Sequence, residues 1–232
     1  MDVKREKKSK LSTEITAGAN WQTGNTEIIR ISASANAAII DSVKEFSFNM
    51  RYIYGENKKK KNQNEFSTGL QFDYRPLNRF SPFVRAELYS NEFKKISYRF
   101  SGLAGAKYRY FIKKKSNETV CDYSISGAVV YEYERYTREA GIQPKERFRL
   151  SVRPKFKQRL WKNTVFALEC YYKPNIIDFS DCIVLSIVQL NFKLNKYLFV
   201  RCSYEWEYNN KPAAKALKKT DTLLMFNLGV NF

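Results

Sequence analysis

The side chains of this chain that are equipped for chemistry are charged and stand an even number of residues apart. Arg149, Arg153, Lys155 and Lys157 form one ladder, Arg99, Lys107 and Arg109 a second, and Glu132 with Glu134 and Glu205 with Glu207 are carboxylate pairs. In an extended chain such residues share one face. Two carboxylates on one face can serve as general acid and general base, or Arg and Lys on neighbouring strands can neutralise them; the abundance of basic partners favours neutralisation. The chain contains no histidine, which rules out a Ser-His-Asp triad, a Cys-His pair and histidine-ligated metals. Cys121, Cys170, Cys182 and Cys202 show no C-x-x-C spacing and read as small apolar side chains. The glycines are scattered and form no phosphate-cradling loop. No enzyme activity and no cofactor are therefore expected.

The elements that must carry these side chains are strands, because apolar and polar residues alternate with period two through the whole chain. The end of the chain shows it best: Leu224, Phe226, Leu228, Val230 and Phe232 share one face, with Asn227, Gly229 and Asn231 on the other. Upstream, the apolar faces are Val200–Tyr208, Val188–Leu194, Phe166–Tyr172, Phe148–Phe156, Tyr123–Tyr133 and Ile96–Tyr110. Val84–Leu88, Phe66–Tyr74, Phe46–Tyr54, Ile29–Ala37 and Ile15–Trp21 complete a set of twelve. Tight connections are expected at Thr23-Gly24-Asn25-Thr26, Asp41-Ser42, Pro76-Leu77-Asn78, Pro174-Asn175 and Asn195-Lys196. The longer connections, Glu56 to Asn64, Arg138 to Glu146 and Asn209 to Asp221, all follow odd-numbered strands. That parity suits an up-and-down barrel with short periplasmic turns and long external loops; the fairly long Lys113 to Glu118 connection is the exception.

Length and charge are consistent with this. A chain of 232 residues fits one all-β unit. The net charge is +18, yet 16% of residues are aromatic. A basic excess points to nucleic acid, an anionic membrane surface or an acidic ligand. Nucleic-acid binders interleave aromatics with bases on one surface, whereas here the two lie on opposite faces, so no nucleic-acid partner is expected. No apolar run is long enough for a spanning helix. The N-terminus lacks the apolar core of an export signal; removal of a signal peptide is the expectation.

Periodicity does not say which face is outermost, but composition does. The apolar face is rich in aromatics at strand ends, as in the girdles of membrane barrels. The other face is too ionic for a dry core. The reading is an all-β, single transmembrane antiparallel barrel of about twelve strands over residues 11–232, with residues 1–10 as a basic periplasmic tail. Its lumen is expected to be lined by Arg51, Arg85, Arg99, Lys107, Arg109, Arg149, Arg153, Lys155 and Arg201, with Glu132, Glu134, Glu169 and Glu205, and Arg30, Arg75, Lys157, Lys173, Lys193, Glu14, Asp73, Glu87 and Glu207 on the same side. Bases outnumber acids on this face, so an open lumen favours small anionic solutes, and its ladders resemble those of twelve-stranded channels for acidic oligosaccharides. A lumen closed by salt bridges, giving a structural or interaction barrel, is the alternative.

Gly18-Ala19-Asn20-Trp21-Gln22-Thr23-Gly24-Asn25-Thr26 resembles the opening of the salt-induced outer-membrane protein family, YdiY-like proteins with a domain of unknown function. Phe80 to Tyr110 is similar to that family's middle region. The resemblance implies a bacterial outer-membrane location and a barrel fold, with no activity to transfer. Phe232 at the end of an alternating strand resembles the signature read by the barrel assembly machinery, an expected partner alongside outer-membrane lipid. Lys58-Lys59-Lys60-Lys61 and Lys215, Lys218 and Lys219 are read as loop residues, either solvated or in contact with lipopolysaccharide phosphates.

Overall fold

A computed structural model describes residues 10–22, 28–115, 118–212 and 218–232. Its strands are β1 (Lys10–Gln22), β2 (Ile28–Ile40), β3 (Lys44–Asn57), β4 (Lys60–Tyr74), β5 (Phe80–Asn91) and β6 (Ile96–Lys115), followed by β7 (Glu118–Tyr136), β8 (Lys145–Trp161), β9 (Thr164–Pro174), β10 (Cys182–Lys193), β11 (Leu198–Asn209) and β12 (Thr220–Asn231). Each pairs antiparallel with its neighbours in sequence, and β1 pairs with β12, so the twelve strands close into a barrel. Closure leaves no open edge, the condition under which a sheet tolerates hydrocarbon. Among the described residues the sole helical turn is Arg138–Ala140, ended by Gly141 at φ 62°.

Alternation is expressed as an apolar exterior. Leu70 (62% exposed), Phe226 (60%), Ile39 (53%) and Phe148 (52%) face outward. Cross-strand rings such as Phe46–Phe72 and Tyr131–Phe148 pack along that surface. Charged groups lie inside: Asp73, Glu132, Glu134 and Arg149 are 2–3% exposed. In a water-soluble fold the two sets would exchange places.

The ladder that closes the barrel is its shortest. β1 pairs with β2 from Lys10–Ile40 to Gln22–Ile28, but with β12 from Glu14–Asn231 to Ala17–Leu228. Where that pairing ends, the Ser32 hydroxyl on β2 donates to Asn227 Oδ1 on β12 at 2.7 Å, reaching over β1. Gly18 makes room, since a Cβ there would sit 2.0 Å from Asn227 Oδ1.

Several sequence expectations are corrected. The loop expected over Glu56 to Asn64 is a two-residue turn, Lys58 and Lys59, both at positive φ (49° and 60°), on a hairpin with a register shift at Gly55/Glu56. Polar residues there hid an extended segment because both of its faces are polar. Arg75 is not lumenal; it sits in the turn after β4 at φ 50°, its guanidinium 5.2 Å from the centre of the Tyr74 ring. Ile96, expected outside, is 3% exposed and faces the lumen, because a register shift between Ile96 and Tyr98 breaks the alternation. The connection counted as long at Lys113 to Glu118 is short, since β6 runs to Lys115 and β7 begins at Glu118. The Thr23-Gly24-Asn25-Thr26 turn, Lys215 and residues 1–9 lie outside the described residues.

Candidate functional site

The barrel interior holds the chemistry-bearing side chains because every second residue of each strand must point there. A cavity of about 490 Å³ occupies the lumen on the side of the loops that follow odd-numbered strands; Asn62, Phe93, Lys211 and Lys218 bound it from above. Of the side chains assigned to the lumen from sequence, Arg51, Arg85, Arg99, Arg149, Glu132, Glu134 and Glu205 line this cavity. Lys107, Arg109, Arg153, Lys155, Arg201 and Glu169 point inward nearer the short-turn end, where each has an ionic partner.

Most pairs join adjacent strands. Arg99 on β6 meets Glu134 on β7 at 2.5 Å. Arg149 on β8 meets Glu132 on β7 at 2.7 Å and Asp181, in the β9–β10 loop, at 2.9 Å. Arg153 and Lys155 share Glu169, each at 2.6 Å. Others reach over an intervening strand: Arg201 grips Glu14 through both guanidinium terminal nitrogens at 2.8 Å, and Lys107 reaches Asp73 at 3.4 Å. Arg85 Nη2 donates to Asn49 Oδ1 at 2.7 Å across β4, whose Gly69 leaves the space.

Among the described residues two cations reach across the lumen. Arg51 on β3 holds Glu65 on β4 at 2.8 Å and Glu205 on β11 at 2.5 Å. Lys94, in the short β5–β6 loop, reaches Glu207 on β11 at 2.8 Å and Asp221 on β12 at 3.2 Å. In the circular strand order β5 and β11 stand opposite each other, so this ammonium bridges the mouth. The loop is set for it: Lys94 N–H donates to Asn91 Oδ1 at 2.9 Å, and Lys95 turns at φ 60°.

The carboxylate pairs are held by cations. Glu132 and Glu134 are bound by Arg149, Arg99 and Arg147, and Glu205 and Glu207 by Arg51 and Lys94. Sequence reasoning missed Arg147, which meets Asp181 at 3.2 Å, although its parity with Arg149 was available as a signal. Asp181 and Lys94 lie in loops, where alternation carries no information. It also missed three inward tyrosines, although each shares the parity of the lumenal charges on its strand: Tyr89 under the Arg99 guanidinium at 5.5 Å, Tyr171 under Arg153 at 4.9 Å, and Tyr136. Among the described residues no cluster suited to a metal ion is present.

Comparison with solved structures places this geometry in a known architecture. An outer membrane channel from Pseudomonas putida F1 superposes with a TM-score of 0.53 at 7% identity, covering 100% of this chain and 98% of that one. The NanC porin superposes with a TM-score of 0.50 at 8% identity, over 94% of this chain and 98% of that one. These likenesses show the fold, that of outer-membrane β-barrels. Comparison with curated protein sequences finds no match. The family model described as "Protein of unknown function, DUF481" matches residues 15–232, which span the strands, the seam and the charged lumen, and the chain belongs to that family.

Proposed function

We propose that this barrel is a small pore of a bacterial outer membrane whose lumen favours anionic solutes and is kept narrow by ion pairs bridging it. Residues 11–232 form the membrane unit in this reading, and residues 1–10 a periplasmic tail. The observation that carries it is the distribution of charge inside a wetted barrel. The ladders Arg99, Lys107, Arg109 and Arg147, Arg149, Arg153, Lys155 occupy β6 and β8, while Glu205, Glu207 and Glu14 stand on β11 and β1. Lumenal Arg and Lys select anions, and these ladders line the wall together with the acids that hold them in place, Glu132 and Glu134 on β7 and Glu169 on β9. The cavity at the mouth, about 490 Å³, lies within the roughly 300–1,000 Å³ of small-solute sites. Twelve strands leave more space than an eight-stranded, side-chain-filled barrel and less than a sixteen-stranded porin.

A second reading, a non-transporting structural barrel with a closed lumen, is favoured by the bridges Arg51–Glu205 and Lys94–Glu207. Planar-bilayer recordings separate the two. The pore reading expects small single-channel currents in the wild type, a reversal potential of anion-selective sign under a salt gradient, and a severalfold larger conductance in Lys94→Ala. Silence in both the wild type and an Arg51→Ala/Lys94→Ala variant establishes the closed barrel; cation preference removes the anion reading. The machinery that assembles outer-membrane barrels is the partner expected to read Phe232, which is 73% exposed beyond β12; its deletion is expected to lower the yield of folded barrel in outer-membrane fractions.

A further inference from the structure

The β9–β10 loop, residues 175–181, is tightly held yet apolar at its tip. Ile177 is 90% exposed, Phe179 58% and Ile176 40%. The loop backbone has little freedom. Asn175 Oδ1 accepts from Ile177 N–H at 3.0 Å, and Asp178 Oδ1 from Ser180 N–H at 3.0 Å. Asn210 donates to the Ser180 carbonyl at 2.7 Å, and the buried Arg149 fastens Asp181 at 2.9 Å. Rigid display of large apolar groups to water is unfavourable without a partner.

The loop's position identifies that partner. Ile176 N–H donates to the Phe148 carbonyl at 2.9 Å, extending the β8–β9 pairing and setting the tip level with Phe148. Phe148 is the last apolar residue on the outer face of β8; the next residue toward the loops on that face is the charged Glu146. The apolar tip thus continues the exterior belt at its upper boundary. Charge supports the same partner: the neighbouring β11–β12 loop carries Lys211, Lys218 and Lys219, and Lys211 neutralises Asp178, the one carboxylate at the tip.

We propose that Ile176, Ile177 and Phe179 form a prong that enters the anionic outer lipid leaflet, with the adjacent lysines meeting lipid phosphates. The inference rests on the barrel being membrane-inserted and is independent of whether it conducts. Apolar groups flanked by Lys are the composition of interfacial anchors, and each basic residue near an anionic surface adds attraction.

The test places a nitroxide at Ile177→Cys in a protein whose four cysteines are replaced by Ala, reconstituted in vesicles of neutral phospholipid with and without 30% anionic phospholipid. Collision rates with oxygen and with a water-soluble nickel chelate report depth. The expected result is severalfold protection from nickel relative to a label at Lys59→Cys, greater with anionic lipid. A label at Leu70→Cys monitors insertion: nickel access there overturns membrane insertion itself. Nickel access at Ile177→Cys with Leu70→Cys protected overturns the prong alone. Protection accompanied by cross-linked dimers assigns the surface to a second copy and overturns the lipid assignment, and equal depth in both vesicles overturns the role of the lysines. Because four replacements can impair folding, Ile177→Ser/Phe179→Ser in the native-cysteine protein gives a second reading: its flotation with anionic vesicles is expected to be unchanged, since the belt suffices, while trypsin cleavage after Lys218 in the neighbouring loop rises severalfold.

Discussion

At the residue scale, the cost of losing a charge depends on how far its partner is from water. Arg149 and Glu132 have side chains 3% exposed and Asp181 7%. Arg149→Ala would leave the buried Glu132 without its cation and Asp181 with Arg147 alone, and removal of one member of a buried ion pair costs about 3–5 kcal/mol. We expect a loss of that size in urea unfolding from detergent. Arg153 is 28% exposed beside Glu169, so water can replace it, and Arg153→Ala is expected to cost about 1 kcal/mol. The Asp178 carboxyl outside the barrel is held down to about 2 by the Lys211 ammonium and then by the Ser180 hydroxyl and N–H. A lowered value means that the link is complete above the ordinary carboxylate range and is lost as pH falls through about 2. The tie between the β9–β10 and β11–β12 loops should therefore survive at pH 3, followed by the carboxyl shift of Asp178 in an NMR titration.

At the element scale, two backbone features carry expectations. The β3–β4 hairpin turns on Lys58 and Lys59, both at positive φ, a conformation that Asn-Gly adopts at low cost in two-residue hairpins. Lys58→Asn/Lys59→Gly is expected to stabilise the hairpin by about 1 kcal/mol, read as slower amide exchange of Asn57 and Lys60. The β1–β12 seam is the opposite case. A side chain at Gly18 would strike Asn227 Oδ1 and the Phe226 carbonyl, 2.5 Å from the Cβ position. Gly18→Val should push Asn227 away from Ser32, and the folded band in unheated SDS gels is expected to melt at a lower temperature than wild type. These strands were legible in the sequence because each pairs one apolar face with one polar face; the hairpin tip was missed because its two faces are alike.

At the scale of the whole molecule, the lumen behaves as one electrostatic body. Arg51 and Lys94 tie β3 and the β5–β6 loop to β11 and β12, so freeing either should widen the lumen and expose Glu205 and Glu207. Uncovering these acids adds negative charge to the pathway. Arg51→Ala is therefore expected to raise conductance while lowering the anion-to-cation permeability ratio, measured by reversal potential under a salt gradient. A change in conductance without a change in selectivity would place Arg51 outside the ion path.

What the sequence determined by itself was the number of strands, their order and the sidedness of the wall, because each strand states its two-residue period locally and the composition of its two faces says which meets lipid. Only the tertiary structure decided which charges meet. The pairing of Arg149 with Asp181 and of Lys94 with Glu207 joins loops to distant strands, and depends on strand stagger and loop path rather than on alternation. The same holds for Ile96, whose side a single register shift reversed: period fixes a face only while pairing is unbroken, and here it breaks beside the β5–β6 hairpin.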